Sequence, residues 1–135
     1  MRVMALDVGD VRIGVALSDP MKILASPLET YHRVGYKKDV AYLVDLAKQK
    51  EVSVIVVGLP LKLDGTDSEQ TVKAREFGNA VQAEFEGKVV FIDERLTTQR
   101  AHKEMIADSV RRDKRKKAVD MIAASFILQS YLDRG

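Results

Sequence analysis

The sequence predicts an α/β fold on one mixed, five-stranded sheet. Two observations lead there. Three short alternating segments come first, joined by brief connections. Two continuous apolar runs come next, each preceded by a stretch of helical period. A meander followed by alternating helix and strand gives a sheet with antiparallel and parallel pairs. Right-handed crossovers then put helices on both faces. The 135 residues fit a single domain, 1–135. Hydrophobic residues make up 46% and aromatics only 6%, with no Trp, so the core is mainly aliphatic.

Arg2–Val8 alternates and is apolar enough for a first strand. Gly9-Asp10 marks a turn, and Arg12–Ser18 reads as the second strand. Gly14 and Ala16 within it are small, so another element can approach that face closely. Leu24–His32 is the third extended segment, and Pro27 marks it as an edge strand. Asp39–Lys50 places Val40, Leu43, Val44 and Ala47 at helical spacing. Ser53–Val57 is β-branched and stops at Gly58-Leu59-Pro60, as a parallel strand buried on both faces does. Ser68 and Thr71 precede a helical pattern through Glu86, with Gly87 as a candidate cap. Lys88–Ile92 is the last strand. Thr97 or Thr98 can cap a helix to about Ile106. A final helix spans Lys114 to Leu132, with Val119, Ile122, Ala123, Phe126 and Ser130 on one candidate face. The commonest architecture with this element order is the RNase H-like fold, with strand order 3-2-1-4-5.

Composition excludes several classes. Cysteine is absent, so there are no disulfides and no Cys-ligated zinc or iron–sulfur site. A carboxylate at position 7 argues against a signal peptide. No apolar run approaches the roughly 20 residues needed to cross a membrane. A cytoplasmic protein with no membrane partner is expected. Net charge is +2, but it is unevenly spread. Residues 1–94 carry 12 Lys/Arg against 15 Asp/Glu, whereas residues 95–135 carry 10 against 5. The excess lies in Arg111, Arg112, Lys114, Arg115, Lys116 and Lys117. It reads either as a phosphate-backbone footprint or as a solvated helix start.

Three acidic residues carry the chemistry. Asp7 lies at the end of the first strand; alone, it reads as a turn carboxylate. Glu94 follows the last strand. Asp120 sits in the last helix between Val119 and Met121-Ile122-Ala123-Ala124, and a carboxylate in that apolar setting needs a partner or a metal. With the first strand central, the ends of its parallel neighbours share one sheet edge, where α/β sites form. Ala123 and Ala124 would let the last helix pack closely and present Asp120 there. Converging carboxylates repel unless a cation neutralises them. Oxygen donors without His or Cys select Mg²⁺ or Mn²⁺. Such a site suits phosphodiester hydrolysis. Asp7, Glu94 and Asp120 are therefore the expected catalytic residues and metal ligands. Asp93 is disfavoured because strand alternation turns it to the other face.

The motifs also resemble a known family. Asp7-Val8-Gly9 with Arg12-Ile13-Gly14-Val15-Ala16-Leu17-Ser18-Asp19 resembles the opening motif of the YqgF/RuvX family. Val57-Gly58-Leu59-Pro60-Leu61 with Asp64-Gly65-Thr66 resembles its middle motif. Asp93-Glu94-Arg95-Leu96-Thr97-Thr98 is similar to its third. Asp120-Met121-Ile122-Ala123-Ala124 with Ile127-Leu128-Gln129-Ser130-Tyr131-Leu132 is similar to its fourth. The resemblance spans nearly the whole chain. It implies an RNase H-like nuclease, acting on the 5′ end of pre-16S rRNA or related to Holliday-junction resolvases. It places the acidic positions on Asp7, Glu94 and Asp120. One departure is that the fourth strand ends Gly58-Leu59-Pro60, whereas related resolvases and RNases H usually carry another carboxylate near the end of that strand or on the first helix. The second metal is then expected to bind only with oxygens from substrate phosphate.

Arg12, Arg95, Lys116 and Lys117 are the candidate substrate-binding cations. Arg95 can meet the scissile phosphate or pair with Asp93. Lys116 and Lys117 precede Asp120 by about one helical turn. Leu61–Ser68 is a substrate loop or an ordinary connector. His32 and His102 are assigned no catalytic role. The expected partner is nucleic acid, structured RNA or branched DNA, bound by a monomer or weak homodimer. The alternatives to pre-rRNA cleavage are junction resolution and a non-catalytic nucleic-acid-binding module.

Overall fold

A computed structural model of the protein describes residues 1–96 and 112–134, without the side chains of Leu96 and 112–119. In chain order the elements are β1 (Arg2–Val8), β2 (Arg12–Ser18), β3 (Ala25–His32), α1 (Tyr36–Gln49), β4 (Val52–Leu59), α2 (Glu69–Glu84), β5 (Lys88–Asp93), a 3₁₀ turn (Glu94–Leu96) and α3 (Arg112–Asp133). The sheet order is β3-β2-β1-β4-β5. β1 pairs antiparallel with β2 and parallel with β4; β2–β3 is antiparallel and β4–β5 parallel. This is the mixed RNase H-like sheet expected from the element order, with β1 at its centre.

Strand alternation divides the core into two layers. Met4, Leu6, Ile13, Val15 and Val57 pack under α1 and α2, against Val40, Leu43, Phe77 and Val81. Val3, Ala5, Ala16, Val56 and Ile92 face the other way, onto Ala124, Ile127 and Leu128 of α3. No helix among the described residues is long and apolar enough to cross a membrane.

The differences from expectation have local causes. Leu24 belongs to the turn before β3, because its N–H donates to Asp19 Oδ1 and its carbonyl accepts from the Asp19 N–H. Pro27 lies on the edge strand, beside a register shift between Val15 and Ala16. α1 starts at Tyr36 rather than Asp39. The Asp39 carboxylate reaches back to the N–H groups of Val34 and Gly35, so the acid sits inside the first turn. α2 is closed at its start by a Ser68–Thr71 capping box and ends on Phe85, not on Gly87. Gly87 has another purpose: a Cβ there would strike the Ser53 carbonyl. Among the described residues of α3 the buried ones are Ala123, Ala124, Ser125, Ile127 and Leu128; Ala123 of the expected stripe is among them, whereas Ile122, Phe126 and Ser130 are only half-buried, so the buried face is rotated from that stripe. Residues 121–128 are apolar or small almost all round, and periodicity cannot choose a face there. The helix expected from Thr97 or Thr98 to Ile106 lies outside the described residues. So do Arg111 and the side chains of Arg112, Lys114, Arg115, Lys116 and Lys117.

Candidate functional site

Asp7 is the next-to-last residue of β1. Val3 and Ala5 face α3, so alternation puts Asp7 on that face too. Its cross-strand partner is Gly14. A Cβ on Gly14 would collide with the backbone carbonyl of Asp120, so the glycine is what lets α3 lie against β2 at this point. Asp120 thus stands over the strand that neighbours Asp7. Its Oδ2 accepts from Arg12 Nε at 2.7 Å, and its side chain is 24% exposed.

Glu94 arrives from β5. Ile92 faces α3, Asp93 turns away, and Glu94 comes back to the α3 side in the 3₁₀ turn. Its side chain lies over Gly58 of β4. A Cβ on Gly58 would be 3.1 Å from Glu94 Cδ and 2.6 Å from Ile127 Cδ1. Glu94 and Ile127 occupy the space that a side chain at Gly58 would need. Leu6 pairs with Val57, so the next residues along these two strands are Asp7 and Gly58.

The three acids picked from the sequence therefore share one face of the sheet, at the C-terminal end of its parallel strands. They are brought to this face without being gathered into one cluster. Among the described residues, no three His, Cys, Asp or Glu side chains are close enough together to hold a metal ion. Asp120 is turned onto Arg12 instead.

Of the candidate cations, Arg12 is that partner of Asp120. Arg95 takes the pairing reading: Nη2 lies 2.7 Å and Nε 3.0 Å from Asp93 Oδ2, and its backbone N–H donates to Asp93 Oδ1. These bonds hold the Asp93 carboxyl below its ordinary pKa. Arg95 Nη1 also donates to the Leu63 carbonyl at 3.1 Å, which ties the 61–68 loop to the end of β5. Inside that loop Lys62 N–H bonds Thr66 O and Gly65 N–H bonds Lys62 O. The side chains of Lys116 and Lys117 lie outside the described part of the structure.

Two residues absent from the sequence reading hold the chain just after Asp7. Gln70 Nε2 donates to the Val8 carbonyl at 2.7 Å, and Arg33 Nη1 donates to the Gly9 carbonyl at 2.9 Å. Arg33 is in turn paired with the buried Asp39 at 2.9 Å. No periodic or motif signal marks such bonds between a side chain and a distant carbonyl.

Residues 1–134 match the family model described as RuvX, Holliday junction resolvase. The chain belongs to this RuvX family. Its relatives agree along the whole length. A protein of Clostridium tetani named "Putative pre-16S rRNA nuclease" is 46% identical over 133 residues, covering 98% of this chain and 96% of the relative. One of the same name from Clostridioides difficile is 48% identical over 132 residues, covering 98% and 94%. Among solved structures, T. thermophilus RuvC in complex with a Holliday junction matches with a TM-score of 0.63 at 11% identity, covering 99% of this chain and 95% of that one. The fowlpox virus Holliday junction resolvase matches at 0.59 and 17% identity, covering both chains fully. These two likenesses establish the RNase H-like fold. The RuvX relationship makes the chain a nucleic-acid-binding, phosphodiester-cleaving nuclease.

Proposed function

We propose that this RuvX-family nuclease cleaves the 5′ end of pre-16S rRNA with Mg²⁺ or Mn²⁺ held by Asp7, Glu94 and Asp120. The observation that carries the reading is the sharing of one sheet face and one strand end by these three acids, over a floor of Gly14 and Gly58. Their donor chemistry fits a hard cation: all the ligating atoms are oxygens, with no His or Cys among them. When bound, the cation supplies the charge that activates water and stabilises the departing oxygen.

The chain's own residues do the rest. Asp7 and Glu94 hold negative charge at the strand ends. The two glycines let the Asp120 backbone and the Glu94 side chain lie against the sheet, on the face that also carries Asp7. Arg12, beside Asp120, offers a guanidinium to a phosphate, which it can bind in two parallel bonds. Arg95, Lys116 and Lys117 serve the flanking phosphates. The names of the clostridial relatives support RNA as the substrate. We further propose that the whole chain acts as one domain in the cytoplasm, as a monomer or weak homodimer.

The test is cleavage of a 5′-extended 16S rRNA fragment in Mg²⁺ or Mn²⁺, with Asp7→Asn as the comparison. The wild type is expected to cut and the variant to lose at least about a hundredfold in rate, more than second-shell changes cost. Equal rates overturn the assignment. The family description favours one other substrate, a four-way DNA junction. Faster cutting of the junction than of the RNA, by a dimer in solution, would select it, since symmetric incision needs two-fold symmetry.

A further inference from the structure

We infer that Gln70 and Arg33 are positioning residues that set the aim of Asp7 by clamping the two carbonyls that follow it. The inference rests on the reading of Asp7 as a ligand. The β1–β4 ladder ends at the Leu6–Val57 pair while pairing with β2 runs on to Val8–Ile13, so carbonyls beyond Leu6 that turn away from β2 need donors from outside the sheet. Val8 O receives Gln70 Nε2 at 2.7 Å and Gly9 O receives Arg33 Nη1 at 2.9 Å. Consecutive peptide units immediately after Asp7 are thus held from two elements.

Both donors are themselves anchored. Gln70 sits in the first turn of α2. That turn is fastened to the end of β4, because the hydroxyls of Ser68 and Thr71 both donate to the Pro60 carbonyl, at 3.0 and 2.8 Å. Nearby, Lys73 Nζ lies 3.1 Å from Asp10 Oδ1 in the β1–β2 turn. Arg33 is gripped three ways. Its Nε donates to Asp39 Oδ2 at 2.9 Å, its guanidinium lies 4.9 Å from the Phe77 ring centre, and its own N–H donates to the Val11 carbonyl. A ligand on a strand end needs such support, because tenths of an ångström at the ligand change both affinity and rate.

The test compares wild type with Gln70→Met, which keeps the side-chain length and removes the donor. Mn²⁺-induced broadening of the backbone amide signals around Asp7 is measured first, since it needs no cleavage. Apparent Mn²⁺ affinity is expected to fall about 10- to 100-fold in the variant. The cleavage kcat is expected to fall by a similar factor, while KM and Tm stay at wild-type values. Broadening in both proteins at equal affinity, with equal kcat, overturns the clamp and leaves Asp7 as a ligand. No broadening near Asp7 in the wild type overturns the ligand reading and the clamp with it. A kcat loss that only follows a fall in Tm assigns Gln70 to the fold and likewise overturns the proposal. Arg33→Gln, read by the same broadening, checks the second arm.

Discussion

Two arginine–aspartate pairs lie on opposite faces of the same sheet, and they are built for different ends. On the α1/α2 side, Asp39 is 1% exposed and accepts from Arg33, Tyr31 Oη, Val34 N–H and Gly35 N–H. Burial alone would push its carboxyl up, but these four donors outweigh burial and hold it below its ordinary pKa. The same contact and burial push the Tyr31 phenol up to about 12. On the α3 side, Asp120 meets Arg12 at the rim, with both side chains about a quarter exposed. An acid saturated with fixed donors has no lone pair to offer a ligand. An acid at a rim, paired with a part-exposed arginine, can exchange that partner for a cation or release it to a phosphate. The first pair is buried architecture, and the second stands open at the rim where the proposed chemistry would need it.

Crossed substitutions test this contrast most strongly. Asp39→Ala leaves Arg33 without its buried counter-charge and should cost about 3–5 kcal/mol of stability by urea unfolding. Asp120→Ala should cost about 0–1 kcal/mol and abolish cleavage. Equal destabilisation by both would erase the distinction. Gly58→Ala comes next. Its methyl would meet Ile127 and displace Glu94, so stability should drop by about 1–3 kcal/mol, with a larger loss in cleavage.

A pH series separates the pairs further. The folded-state pKa of Asp39 lies below its unfolded value of 3.8, so its contribution is present above that value. It is lost as pH falls through the lower folded value. Wild-type Tm should therefore fall more steeply below about pH 4 than that of Asp39→Asn. Parallel curves would deny Asp39 this role. The smallest expected effect is that of Arg12→Gln, which should leave stability within about 1 kcal/mol. It should also reduce the slope of log binding constant against log salt by about one, the share of a single phosphate contact.

Much of this arrangement was legible in the sequence. Arg2–Val8 and Arg12–Ser18 match the observed strands because both alternate cleanly around a turn marked by Gly9. The same alternation separated Glu94 from Asp93, and in the structure Ile92 and Glu94 lie on the α3 side. The small residues of β2 foretold a close approach, and the Asp120 backbone makes it at Gly14. The buried face of α3 was legible only at Ala123, because a stretch apolar or small almost all round has no preferred stripe. Nor was the start of α1, where the usual acidic start signal, Asp39, reaches backwards from within the helix. The Arg12–Asp120 pair and the Gln70–Val8 bond span 108 and 62 residues, and side-chain bonds over such separations leave no local pattern.

The seat of α3 on Gly14 has a consequence for how the enzyme comes into being. Asp7 and Asp120 lie far apart in the sequence, yet the Asp120 carbonyl rests over Gly14, the cross-strand partner of Asp7. A nascent chain that has made its whole sheet still lacks the third acid and the helix that carries it. The seat of α3 on the sheet forms only with the closing of a loop that spans most of the sequence, the slowest kind of contact to form.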